Sequence, residues 1–431
     1  MQIAILGAGI GGMAAAYDLA KAGHEVTIFE GSGSPGGLAG GFKEPGWQSS
    51  VENFYHHWFQ TDSEILGLMQ EVGLRDKVFF PRPKTVMFYR EKFYPLDSPV
   101  AALKFPGYSF PDMLRFGLVG VYLRYLAAWQ PLEKFTAHDW MQRWFGENLY
   151  RLQWEPMLQG KFGPHYREVN MAWFWARLKA RTTRLGTSQG GFQAFADEFA
   201  EILSGMGVKI LYNTRVEGLQ PAEQGLTLQL ERGELGFDRV LSTTSPVQLA
   251  KLAPALPPEY LAGLLNLKSM GAVVLILALK HQLSREGYYW YNLPKAAGFP
   301  FLALVEHTNF VPAEQFGGDH IVYCGDYLDP SHEHFSLSAD QLLERFLPSF
   351  TRINPDFKPE WVRAAWVKKT TYAQPVPLLN HSQNIPAIRT PLSGLYFASM
   401  SQVYPWDRGT NFAVQIGRQA ARVILKDVSA G

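Results

Sequence analysis

The clearest chemistry-bearing spacing is a run of glycines near the amino terminus. Gly7-Ala8-Gly9-Ile10-Gly11-Gly12 follows the short apolar segment Gln2–Leu6 and precedes 13–22, a helix-forming stretch ended by Gly23. Residues 24–30 read as a second strand that closes on Glu30. Strand, glycine turn, helix, strand and acid in that order make a βαβ unit that binds a dinucleotide. Gly7 permits the tight turn, Gly9 lets the backbone approach a pyrophosphate, and Gly12 lets the helix lie close to the strand. The helix N-terminus offers free N–H groups to phosphates, and Glu30 can accept hydrogen bonds from ribose hydroxyls. A second glycine turn, Gly36-Gly37-Leu38, follows the acid and suits a chain that passes close to a larger cofactor.

Three other places carry groups able to do chemistry. The segment 52–58 (ENFYHHW) contains His56, which titrates near neutrality and can move a proton or fix a substrate. Lys368 and Lys369 precede an aromatic and proline-rich loop, where Lys369 could bind an anionic group. In 404–411 (YPWDRGTN), Arg408 could receive a carboxylate or phosphate bidentately. His332 and His334 lack confirming ligand partners, so no metal is assigned.

Positioning these groups takes a large fold. The 431 residues exceed one small core and suggest two domains, or three intermixed ones. Lys plus Arg total 40 against 39 for Asp plus Glu, so no clustered basic excess supports nucleic-acid binding. The single cysteine, Cys324, rules out a disulfide within the chain and reads as a core thiol in a strand. A reducing, cytoplasmic location fits. No uninterrupted apolar run reaches the ~18 residues of a membrane span; the nearest, 116–129, is broken by Arg124.

The N-terminal glycine turns resemble those of the flavin-containing amine oxidase superfamily, which includes protoporphyrinogen oxidases and phytoene desaturases, with UDP-galactopyranose mutases as cousins. The same resemblance runs through 136–145 (TAHDWMQRWF), Glu155-Pro156, 160–163 (GKFG), the helix opened by Gly190-Gly191-Phe192, and the strands 207–211 and 237–242. It closes with the buried strand 394–398 and the helix 409–421. The resemblance implies an α/β fold: a Rossmann-like FAD-binding domain of the GR2 type, an interleaved α+β substrate domain and a helical lobe. The FAD-binding domain would comprise 1–78, 185–250 and 391–431, the lobe 79–184 and the substrate domain 251–390.

The resemblance also implies cofactor contacts. The backbone at Val216 would meet the adenine. Leu38 stands where the family often has an Arg on the FAD. Ser399 and Met400 stand where it usually has Gly-Asp. Asn411, Phe412 and Ala413 open a helix whose N-terminus would point at the flavin pyrimidine edge, where its dipole favours negative charge. Glu52 and His56 keep the family's spacing of an acid and a His near the flavin, with Phe54 replacing a Gly. No Cys or His attachment motif is apparent, so the FAD is expected to be non-covalent. No second glycine fingerprint marks a separate NAD(P)H domain. The implied activity is an FAD-dependent oxidoreductase that oxidises or desaturates a small organic substrate by hydride transfer, with His56, Lys369 and Arg408 as candidate catalytic residues. The alternative is a redox-neutral enzyme resembling UDP-galactopyranose mutase and acting on a nucleotide-sugar. The lobe would cover an apolar substrate pocket over the flavin, with aromatic positions such as Phe116, Tyr122, Tyr125 and Trp129 supplying an apolar face; relatives with lipophilic substrates dock such lobes on bilayers, which raises peripheral membrane contact.

Overall fold

The computed structural model describes residues 1–430. The chain opens with β1 (Gln2–Leu6), α1 (Ile10–Lys21) and β2 (Glu25–Phe29). β1 is the middle strand of a five-stranded parallel sheet, ordered Lys209–Leu211, β2, β1, Arg239–Ser242, Leu395–Phe397. Ile3, Ala4 and Ile5 have no exposed surface, because helices cover one face and an antiparallel layer the other. Such double coverage is why β1 reads as a continuous apolar run and not as an alternation. On one face pack α1, Gly191–Gly205 and the long helix Thr410–Ala430. On the other lie the strands Val216–Pro221, Leu226–Leu230 and Gly233–Phe237 with the helix Pro246–Leu252. Three separated stretches of sequence thus build one sheet.

The second sheet has seven strands, ordered Val362–Pro375, Ser269–Leu279, His320–Leu328, Ala303–Glu306, Trp290–Asn292, Thr85–Tyr89, Lys92–Pro95. All neighbours run antiparallel except Trp290–Asn292 with Thr85–Tyr89. The helix Ala339–Ile353 covers one face through Leu342, Phe346 and Phe350.

Two expectations change here. The stretch after Val367 is not a loop: the strand continues to Pro375, with Lys369 opposite Val273 and Thr370 opposite Ala272. The helical lobe also begins later than residue 79, because 85–95 form a hairpin of the second sheet. The lobe's helices run from Pro99–Leu103 to Met171–Ala180 around a core that includes Trp140, Phe145, Trp154, Trp173 and Phe174. Among the described residues no helix is long and apolar enough to cross a membrane.

Candidate active site

A cavity of about 580 Å³ is lined by residues of both sheets. The turns at the carboxyl ends of β1 and β2 and the start of α1 supply Gly7, Gly9, Ile10, Gly11, Gly12, Glu30, Gly36, Gly37 and Leu38, and the antiparallel layer adds Val216. The C-terminal stretch adds Ser399, Met400, Arg408 and Ala413, and the segment after the second glycine turn adds Tyr55 and His56. Asp326, Tyr327, Thr370 and Tyr372 of the second sheet complete it. The carboxyl ends of the parallel strands therefore open into it, where ligands bind in this architecture.

The glycine loop is built for close approach. Gly7 has φ near +106°, a conformation that L side chains rarely adopt. A Cβ on Gly12 would stand 2.2 Å from the Gly7 carbonyl oxygen, so the first turn of α1 can lie this close to the glycine loop only with a glycine at 12. A Cβ on Gly9 would meet no atom within 4 Å; it would project into the open cavity. Ala8 contributes backbone only. Its N–H donates to Glu30 Oε2 at 2.8 Å, and its carbonyl accepts from the Gly36 N–H at 2.9 Å, which ties the two glycine turns together. Glu30 Oε1 accepts from the Ser32 N–H and hydroxyl, both at 2.8 Å. Glu30 thus braces the turn while it also lines the cavity.

The other end is aromatic and titratable. His56 donates from Nδ1 to the Phe54 carbonyl, which leaves Nε2 as the unprotonated nitrogen of a neutral ring. Burial lowers this histidine to about 4. His57 bonds the Tyr289 hydroxyl through Nε2 and is not among the residues lining the cavity. Glu52 accepts from the Phe192 N–H (3.1 Å) and the Tyr323 hydroxyl (3.2 Å), so it joins a helix start to the second sheet. The Arg408 guanidinium sits 4.9 Å from the Tyr327 ring centroid, its Nε is buried without a partner, and burial lowers it to about 10.

Three expected site residues are placed elsewhere by their side chains. Lys369 is not brought to the cavity. Strand alternation puts Thr370 and Tyr372 on the cavity face and Lys369 on the opposite one, where its ammonium donates to the Phe335 and Leu337 carbonyls at 2.9 and 2.5 Å. Asn411 Oδ1 accepts the Glu64 and Ile65 N–H groups and so secures the helix Ser63–Glu71. Phe412 stacks on Trp406 with centroids 5.5 Å apart. Their backbone N–H groups still open the C-terminal helix, whose first turn leaves such donors without intrahelical partners. Ser399 sits in a hydroxyl cluster: Tyr372 bonds Ser401 Oγ at 2.7 Å, and the Ser399 N–H donates to Gln402 Oε1 at 2.7 Å.

Sequence reasoning missed Asp326. It pairs with Lys295 at 2.9 Å, its Oδ1 is buried without a partner, and burial raises it to about 6. The available signal was an acid inside the otherwise apolar strand His320–Leu328.

The cradle fits FAD: an open Cβ direction at Gly9, free N–H groups at the start of α1, and a carboxylate at the end of β2. The sequence matches the family described as flavin containing amine oxidoreductase over residues 10–425. It is 24% identical over 168 residues to mitochondrial protoporphyrinogen oxidase of Nicotiana tabacum, which covers 38% of this chain and 32% of that protein. The match therefore spans about a third of that relative's length. Among solved structures, reduced UDP-galactopyranose mutase has a TM-score of 0.77 at 15% identity, over 99% of this chain and 95% of that one. Cyclohexylamine oxidase from Brevibacterium oxydans has a TM-score of 0.74 at 18% identity, over 99% of each chain. The structural likenesses show the fold, and the family match shows the lineage. The chain belongs to the flavin containing amine oxidoreductase family.

Proposed function

We propose that the protein oxidises or desaturates a small organic substrate by hydride transfer to non-covalently held FAD. The observation that carries this reading is that one cavity joins the glycine cradle to His56, Tyr55, Asp326 and Arg408. FAD, when bound, supplies the two-electron acceptor. Gly7, Ala8, Gly9, Ile10, Gly11, Gly12, Glu30, Gly36, Gly37, Leu38 and Val216 hold its nucleotide portion, the backbone doing most of the work. Ser399, Met400 and the first turn at Asn411, Phe412 and Ala413 hold the flavin end. His56, neutral with Nε2 free to accept, takes a proton from the substrate. Arg408 orients an anionic group. The test is an anaerobic screen of candidate substrates against the oxidised holoenzyme. Substrate-dependent bleaching of the flavin band supports the reading. Turnover that occurs only after prior reduction, without net electron transfer, would favour the mutase-like alternative.

We also propose that the helical lobe docks on an anionic bilayer. Phe110, Leu114, Leu118, Tyr125 and Leu126 are between 54% and 75% exposed and recur at helical spacing. Lys104 and Arg115 are exposed beside them, whereas Asp112 of the same helix is buried in a capping box with Ser109. An apolar stripe flanked by cations with its acid withdrawn matches an anionic lipid surface.

A further inference from the structure

Four cationic residues lie near one carboxylate next to the cavity, one of them within ion-pair distance of it. Lys161 comes from the helix Glu155–Phe162, Arg177 from Met171–Ala180, Arg181 from the end of that helix, and Arg408 from the C-terminal loop. The carboxylate is Asp407, 3.8 Å from Arg177. Asp407 Oδ1 is already taken by the Gln374 amide at 3.2 Å and the Arg408 N–H at 3.1 Å. Lys161 donates to Gln374 Oε1 at 3.3 Å and lies 4.8 Å from the Tyr327 ring, the same ring that Arg408 covers. Among the described residues no carboxylate lies within ion-pair distance of Arg408, and its buried Nε has no partner. Arg177 and Arg181 stand one helical turn apart, a spacing at which like charges repel. The charge of Arg177 lowers Arg181 to about 9, and burial holds Lys161 well below its ordinary value.

An arrangement built for stability alone would not gather Lys161, Arg177 and Arg408, which are buried or half-buried, with so little to neutralise them, because uncompensated buried charge is costly; Arg181, one turn beyond Arg177, is exposed. The cofactor's diphosphate is an inadequate explanation. The glycine cradle serves it, and Lys161, Arg177 and Arg181 are not among the residues lining the cavity with that cradle. We infer that the substrate carries a group with at least two negative charges, a diphosphate or a pair of carboxylates, and that Lys161, Arg177, Arg181 and Arg408 receive it. This deepens, and rests on, the proposed oxidation at the same site. Arg408 lines the cavity and so links the anion-binding end to the redox chamber. Asp407, fixed between Gln374 and Arg177, positions the cations and does not itself bind the anion.

The test uses FAD-loaded protein titrated calorimetrically with pyrophosphate and, separately, with glutarate; the stronger binder identifies the kind of dianion. Arg177→Gln and Arg181→Gln should each weaken it about tenfold, the loss of one charge-assisted contact. Arg181 is exposed, so its variant keeps the test alive if Arg177→Gln fails to fold. Asp407→Asn should tighten binding, an effect opposite in sign to general damage. The flavin absorbance of each sample reports separately on the flavoprotein reading, and calorimetry reads the cation cluster whether or not flavin is present. Binding of neither anion by the wild-type protein, or equal binding by all variants, would overturn the inference.

Discussion

Gly417 lies directly over Gly11: a Cβ on Gly417 would stand 2.1 Å from the Gly11 carbonyl oxygen. In return, a Cβ on Gly11 would stand 2.9 Å from the Ala413 carbonyl oxygen. The two helices whose N-termini face the cavity are thus in backbone contact, 406 residues apart in sequence for this pair (417 less 11). Gly417→Ala should push them apart. We expect a loss of about 1–3 kcal/mol in unfolding free energy, as for an overpacked core, together with weaker FAD binding. Thermal unfolding with and without added FAD measures both.

Glu30 accepts from the Ala8 N–H and from Ser32, so it shapes the glycine turn as well as facing the cavity. Glu30→Ala should weaken FAD binding by about 1–3 kcal/mol, the cost of losing a charged acceptor. Reconstitution of apoprotein, followed by flavin fluorescence, gives the number. An unchanged Kd would retire this role.

His56 and Arg408 should separate kinetically. Arg408→Ala should raise KM about tenfold or more if the guanidinium grips ground state and transition state alike. His56→Ala should lower kcat by about a hundredfold or more, the range of a positioned acid–base group. A reversed pattern would exchange the two assignments.

Stability should peak near about pH 6.5. Burial lowers His56, His334 and His381 to about 4 and His57 to about 3, so these rings stay neutral when folded but take up protons when unfolded as pH falls below the ordinary 6.5. Their contribution is full above that value and is lost as pH drops toward 4. Burial has the opposite effect on Glu306, raised to about 8, and on Asp62 and Asp326, raised to about 6. These carboxyls are protonated when folded and ionised when unfolded, so their contribution is lost as pH rises through the folded values. The four histidines outnumber the three carboxyls below pH 6.5, and above it Glu306 dominates. Melting temperatures across pH 5 to 8 should show the maximum, and Glu306→Gln should remove the decline on its alkaline side.

The membrane proposal is checked by flotation. The protein should float with anionic vesicles, and Leu118→Glu with Leu126→Glu should abolish flotation while leaving the fold intact, because both side chains are more than half exposed. Failure to float with either neutral or anionic lipid would retire it.

What was legible in the sequence was local. The turn at Gly7 to Gly12, the acid at Glu30 and the helices that follow depend on neighbours a few residues away, and their spacing shows directly. Lys369 was expected to precede a loop; because the strand Val362–Pro375 runs on through it, alternation turns Lys369 away from the cavity. Asn411 sits at the expected helix start, but its side chain serves a different helix, which spacing does not reveal. The cation cluster was invisible for a physical reason. Lys161, Arg177 and Arg408 come together only through tertiary packing, and Lys161 and Arg177, unlike Arg408, look like ordinary surface charges in the sequence. The Gly11–Gly417 crossing is hidden in the same way.

The central claim is that FAD occupies the space above Gly9. Gly9 has ordinary backbone angles, φ −68° and ψ 165°, and an added side chain there meets nothing in the protein. Gly9→Val should therefore leave the apoprotein folded, with a melting temperature close to that of the wild-type apoprotein, while filling the approach to the cofactor's diphosphate. The decisive measurement is the FAD content of purified Gly9→Val beside the wild type, after denaturation and chromatography of the released flavin. The account predicts FAD released from the wild-type protein, at about one per chain, and little or none from the variant. Equal FAD in both proteins, or colour that stays with the precipitated chain, would contradict it.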